Sequence, residues 1–341
     1  MSSRDARILR VALRVRQVVA ALLSLWIGWA PMAAGAYGQT PLGAAQGQGE
    51  PRIRVDVSLV LLEATVKDKA GRVMGNLKQE EFVLDEDGVP QQVAHFSRDQ
   101  LPLAVALVVD LSGSIKPFLR PLRYATSTAL KALKPEDEVA LFTFTSDVEQ
   151  RARLTHDKRE VSDQIGFFTA GGGTNINRAV YDAARYLRDA APAARRVIVL
   201  VSDNVPTVND GLSPKEVADA ALEADAAVYG LKVPGDNPLM ARMAASAGSR
   251  GFVNVSKLTA ETGGEIFEVE KEGSLFLAFQ ALIERLKTRY TIGFYSTRPA
   301  ADGSLRKLNL RLQPSFGAKG KDYVVLSKSG YYATRARPAS R

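Results

Sequence analysis

Five oxygen-bearing side chains stand where two apolar segments end and a helix begins. Asp110, Ser112 and Ser114 follow the apolar run 103–109 as Asp-Leu-Ser-Gly-Ser. Thr174 comes after Gly171, Gly172 and Gly173 and opens a helical stretch. Asp203 follows Ser202 at the end of the apolar run 197–201. Two acids and three hydroxyls make an oxygen-only donor set, which suits a hard divalent cation. Mg2+ demands near-octahedral oxygen geometry and keeps several of its waters. Two carboxylates would balance such an ion without over-neutralising it and leave it open to an acidic oxygen from outside.

Composition removes most rival chemistries. The chain has no cysteine, which excludes disulfides, thiolate nucleophiles and Cys-based metal sites. Its two histidines are His95, expected at a surface or interface, and His156, in the polar turn Thr155-His156-Asp157-Lys158. No GxSxG, GxxxxGK[ST] or GxGxxG pattern occurs, so neither an acyl-transfer serine nor a nucleotide cradle is expected. The chain is therefore read as a non-enzyme. Taken singly, Asp110 could be a strand-end cap and Ser112 and Ser114 helix caps. The combination on three segments favours the metal reading.

The formal net charge is +8 over 341 residues, and its distribution matters more than its sum. Residues 1–36 carry +4, residues 37–284 carry −7 and residues 285–341 carry +11. The middle of the chain is acidic, so nucleic acid is not an expected partner. The basic C-terminal side chains alternate with apolar ones and read as a solvated sheet face.

The elements that must hold the five residues follow from periodicity. Residues 1–36 have five arginines, an apolar run at 18–30 and Ala34-Gly35-Ala36, the form of a cleavable signal peptide, so the protein is expected to be exported. Membrane attachment would require that segment to stay uncleaved. Residues 37–51, rich in Gly, Gln and Ala, read as a flexible linker. Residues 52–100 alternate apolar and polar side chains around the Asp87-Gly88 turn and read as a small β domain. From 101 to 289 fully apolar strands at 103–109, 139–144, 197–201 and 227–233 alternate with amphipathic helical stretches. That pattern predicts a doubly wound α/β fold, a mostly parallel sheet flanked by helices. Residues 290–333 read as a β-rich C-terminal extension and 334–341 as a disordered tail.

In an open α/β sheet, ligands bind outside the carboxyl ends of the strands, where the five residues fall. Asp110-x-Ser112-x-Ser114, Thr174 at a helix start and Asp203 after a third strand resemble the metal-ion-dependent adhesion site (MIDAS) of von Willebrand factor A domains. The blocks around 68–71, 82, 86–90, 96–97, 290–295 and 328–332 resemble a bacterial VWFA-related group first noted in acidobacteria, over residues 52–333. The resemblance implies Mg2+, with Mn2+ or Ca2+ as alternatives. It implies that Ser112 and Ser114 bind the ion directly, that Thr174 does so in the ligand-competent state, and that Asp110 and Asp203 act largely through water. It also implies a partner protein that supplies a Glu or Asp carboxylate, and hence an adhesion-type binding module. The alternative is a structural component of the cell envelope in which the metal is a staple. Asn204 stands where the family often has glycine.

Overall fold

A computed structural model describes residues 59–98, 101–235, 251–298, 301–313 and 323–333. The expected signal peptide, linker and tail lie outside the described residues. So does the first part of the 52–100 block, up to residue 58.

The apolar runs form a six-stranded sheet. Its strands are β5 (Leu103–Asp110), β6 (Glu138–Phe144), β7 (Val148–Thr155), β8 (Arg195–Ser202), β9 (Ala226–Lys232) and β10 (Ile266–Glu268), in the order β10-β9-β8-β5-β6-β7. All neighbours are parallel except β6 and β7. Alternate residues of β5 point to opposite faces, and both faces are covered. Leu103, Val105, Leu107 and Val109 pack under α1 (Leu119–Lys131), α2 (Lys158–Ile165) and a later helix at Leu275–Lys287. Ala104, Ala106 and Val108 pack under α3 (Ile176–Ala190), α4 (Pro214–Glu223) and α5 (Val255–Thr262). The Leu275–Lys287 helix is α6. This is the doubly wound α/β architecture that the periodicity predicts. Each fully buried Val or Leu of the central strands contributes on the order of 1.5–3 kcal/mol.

Strand order fixes where a ligand can sit. From β5 the chain crosses through α1 to β6 on one side, then returns through α2 and α3 to β8 on the other. The switch point lies between the carboxyl ends of β5 and β8, where the flanking connections diverge and leave a crevice. Asp110 ends β5, and Asp203 directly follows β8.

The β-rich blocks at the two ends of the chain do not form separate pieces. The strands are β1 (Leu59–Asp68), β2 (Phe82–Glu86), β3 (Val89–Gln91), β4 (Val93–Ser97), β11 (Tyr290–Tyr295), β12 (Leu305–Leu312), β13 (Tyr323–Ser327) and β14 (Gly330–Tyr332). They build two four-stranded sheets, β13-β1-β11-β4 and β14-β12-β2-β3. Each sheet mixes strands from both ends of the chain. The expected boundary between a 52–100 domain and a 290–333 extension therefore dissolves, and the α/β domain is an insertion within one two-sheet unit. The insertion leaves and re-enters at neighbouring points, because Ser97 is opposite Thr291. Between the sheets Leu62, Leu84, Ile292, Phe294 and Leu310 form the core. Phe82, Phe96 and Tyr290 cluster within it at ring separations of 5.3–5.8 Å. Tyr290 donates to the Met74 carbonyl at 2.6 Å and accepts from the Leu77 N–H at 3.0 Å, so its hydroxyl is satisfied.

The basic C-terminal side chains meet the expected solvated face in part: Arg298, Lys307 and Arg311 are exposed. Arg285, Arg289 and Arg306 are buried. Arg289 pairs with Glu63 at 2.7 Å and Arg285 with Glu265 at 2.8 Å. Arg298, Arg311 and Lys328 pair with Asp87, Asp85 and Asp225. A good part of the local excess of positive charge is used against acids elsewhere in the fold. Sequence distance hides this, since the partners lie up to 226 residues away.

Candidate metal centre

The crevice is built from the backbone upward. β5 runs directly into Leu111, whose N–H donates to the Phe144 carbonyl at 2.8 Å and whose carbonyl accepts from Gly171 N–H at 2.7 Å. These bonds tie the end of β5, the end of β6 and the glycine loop to one spot. Gly172 has φ +94°, a conformation that side chains other than glycine rarely take. A Cβ on Gly173 would stand 2.6 Å from Val208 Cγ2, so the loop packs tightly against 207–208. Thr174 is thereby held in place. Its N–H donates to Thr207 Oγ1 at 2.8 Å, and its carbonyl accepts from the N–H groups of Thr207 and Val208. Asn175 then caps α3 by accepting from Arg178 N–H at 3.1 Å.

The carboxylates are held by short local bonds. Asp110 Oδ1 accepts from Ser112 N–H at 2.8 Å, and Oδ2 accepts from the Ser202 hydroxyl at 2.7 Å. Ser202 in turn accepts from Asn204 N–H at 3.0 Å. Asn204 has φ +59°, the left-handed region that asparagine tolerates better than most side chains, which is how it serves at a position where glycine is common in the resembling family. Asp203 Oδ1 accepts from Val205 N–H at 2.9 Å. A Cβ on Gly235 would come within 3.0 Å of Asp203 Oδ2, so glycine leaves room for that carboxylate. Ser112 Oγ and Ser114 Oγ are 3.1 Å apart.

The fold thus brings Asp110, Ser112 and Ser114 into one hydrogen-bonded group. Asp203 lies near enough for its charge to act on Asp110. Thr174 arrives on the adjoining loop, with its backbone bonded to the segment that follows Asp203. Asp110, Ser112, Thr174 and Asp203 are buried and Ser114 is half-buried. Two positioning residues stand outside the five. Ser202 orients Asp110, and Thr207 orients Thr174. Ser202, the strand-end hydroxyl next to Asp203, reaches Asp110 because β5 and β8 are neighbours in the sheet. Nothing local marked Thr207.

Electrostatically the centre is short of positive charge. Burial raises the Asp110 pKa from 3.8 to about 6, against the lowering effect of bonds from Ser202 and Ser112, and the nearby Asp203 adds to the rise. Among the described residues no cation pairs with Asp110; its hydrogen-bond donors are neutral. Nor do three Asp, Glu or His side chains gather there into a metal-binding group. An ion at this edge would take hydroxyl and water oxygens for most of its shell, a set that fits Mg2+ rather than a nitrogen- or sulfur-seeking metal.

Residues 105–205 match the family model of the von Willebrand factor type A domain. The fold is similar to the von Willebrand factor type A structure from Catenulispora acidiphila, at 12% identity and a TM-score of 0.45, covering 80% of this chain and 74% of that one. An aerotolerance-related membrane protein from Bacteroides fragilis is similar at 16% identity and a TM-score of 0.40, over 54% of this chain and 99% of that one. The vWF domain of the type V pili tip protein from Porphyromonas gingivalis is similar at 12% identity and a TM-score of 0.43, over 55% and 95%. No curated protein matches the sequence.

Proposed function

We propose that this chain is an exported, metal-dependent protein-binding module of the bacterial VWFA-related type. In this reading Asp110, Ser112, Ser114, Thr174 and Asp203 hold one Mg2+ and leave a coordination position for a carboxylate of a partner protein. The observation that carries it is Asp110: a fully buried carboxylate at the switch point of the sheet, bonded by neutral donors, beside a second acid and a pair of hydroxyls. Such a charge is costly without a counter-ion. When bound, the ion would supply that counter-charge and act as a Lewis acid toward the partner's oxygen. The chain's own part is positional. Ser112 N–H and Ser202 fix the Asp110 carboxylate, and the bonds at Leu111, Gly171 and Thr207 hold the three segments together.

Capture of a partner from envelope extract, in Mg2+ and in EDTA, tests this together with Asp110→Ala. The reading expects capture in Mg2+ alone, lost in the variant while the thermal midpoint stays within a few degrees. Capture that persists in the variant, with a large fall in stability, would instead mark the metal as a structural staple. Export is tested by N-terminal sequencing of the protein recovered outside the cytoplasm, with a start near residue 37 expected.

A further inference from the structure

We infer that the rim of this centre is built to receive an acidic protein segment that carries an aromatic or large apolar residue beside its acids. The inference rests on the metal-dependent reading for the site's location, and goes beyond it to the character of the partner. Residues 111–134 hold five Lys or Arg and no Asp or Glu, although the chain from 37 to 284 is net acidic. Lys116, Arg120 and Arg123 follow Ser114 at three-to-four spacing, so they fall along one side of the segment that leads into and through the start of α1. All three are exposed, and among the described residues none forms an ion pair. The neighbouring α2 carries Glu160 and Asp163, and neither pairs with them.

The loop from α2 to the glycine triplet adds an apolar anchor. Phe167 is 84% exposed, the highest among the exposed large hydrophobic side chains of the described residues. It is not on a loose end. Its N–H donates to the Gln164 carbonyl at 3.1 Å, and the next residue, Phe168, packs against the core with Arg151 over its ring. Four residues on, Gly171 is bonded to Leu111, between Asp110 and Ser112. Four residues of chain reach at most about 14 Å, so Phe167 stands on the shoulder of the centre. Gly166 joins the two features: a Cβ there would lie 2.8 Å from Arg123 Cζ, so this guanidinium rests against the residue next to Phe167.

A cationic side that begins two residues after Ser114, beside a held-out aromatic four residues before Gly171, matches an acidic segment with one apolar anchor. Aromatic anchors dominate interface energies, and complementary charge speeds and orients docking. A membrane surface is the poorer fit, because lipid docking through charge takes clusters of about 4–8 Lys or Arg, and the end of this side next to Ser114 carries three, with Lys131 two turns further along the helix.

Fluorescence anisotropy with the full chain tests the inference. The probe is a labelled peptide of about twelve residues, Asp and Glu throughout apart from one central Phe; a second has Ser in place of Phe. Saturable binding in Mg2+ is expected below roughly 1 mM, weakened about tenfold or more by K116E/R120E, a pair that leaves the Arg123–Gly166 packing alone. Phe167→Ala should remove a preference of about fivefold for the Phe peptide. Binding that the charge reversal weakens but EDTA leaves unchanged would support the rim and sink the metal reading. Binding that EDTA abolishes but neither substitution affects would overturn the rim and spare the metal. Failure of both peptides to bind would overturn the inference, as would reversal-sensitive binding to phosphatidylglycerol vesicles alone.

Discussion

At the scale of single residues, Asp110 sets the behaviour of the centre. Its folded pKa of about 6 lies above the ordinary 3.8, so the metal-free fold favours the protonated acid. That contribution is present below pH 3.8 and is lost as pH rises toward 6, up to about 3 kcal/mol in all. Urea unfolding of wild type and Asp110→Asn in EDTA checks the sign. The difference in stability should shift in favour of the variant between pH 4 and 6, and a difference flat with pH would contradict it. The five candidate residues were legible because each sits at a strand end or helix start where the periodicity changes. Ser202 and Thr207 were not singled out, because their work is to orient Asp110 and Thr174 across strands and loops that only the fold makes neighbours.

At the scale of elements, agreement tracks the strength of the local pattern. β5, β8 and α3 carry apolar runs or a seven-residue buried face, and their places follow from the sequence. At the start of α4, Ser213 and Glu216 bond each other's backbone N–H on either side of Pro214. β7 is different, an edge strand with a single buried side chain, Ala152, among charged neighbours. α2 and α5 are eight residues each with few apolar positions, and the polar turn around His156 turns out to join β7 to α2. Close approach of backbones is equally invisible from sequence. At Gly264 a Cβ would lie 1.8 Å from the Val228 carbonyl oxygen on β9. Gly264→Ala should therefore cost at least about 3 kcal/mol, read as a lower urea midpoint, because both partners are backbone and neither can step aside. A loss under about 0.5 kcal/mol would mean that the loop yields easily.

At the scale of the whole molecule, the sequence pointed to the α/β domain but not to the way the chain's ends meet. Alternation marks a strand without naming its partner. The pairing of β1 with β11 spans more than two hundred residues, and with it the two-sheet unit that the α/β domain interrupts. Between these parts lies a polar seam. Glu63 on β1 pairs with Arg195 at the start of β8 and with Arg289 after α6, and Arg289 also donates to Thr65 and to the Gly263 carbonyl. Lys67 and Arg285 converge on Glu265 in the same region. Both Arg195 and Arg289 are buried, so removing their shared acid strands two guanidinium groups. Glu63→Ala should cost about 3 kcal/mol or more in a chemical-denaturation experiment. A near-neutral result would show that water enters the seam and replaces the carboxylate.

A metal centre requires that the crevice between β5 and β8 bind a divalent ion. Isothermal calorimetry of Mg2+ titrated into the purified protein, beside Asp110→Ala and Asp203→Ala, tests it most directly. Saturable heat with one site per chain is expected in the wild type, absent from both variants while their folds persist by circular dichroism. Equal heats in all three proteins, or none in any, would contradict it.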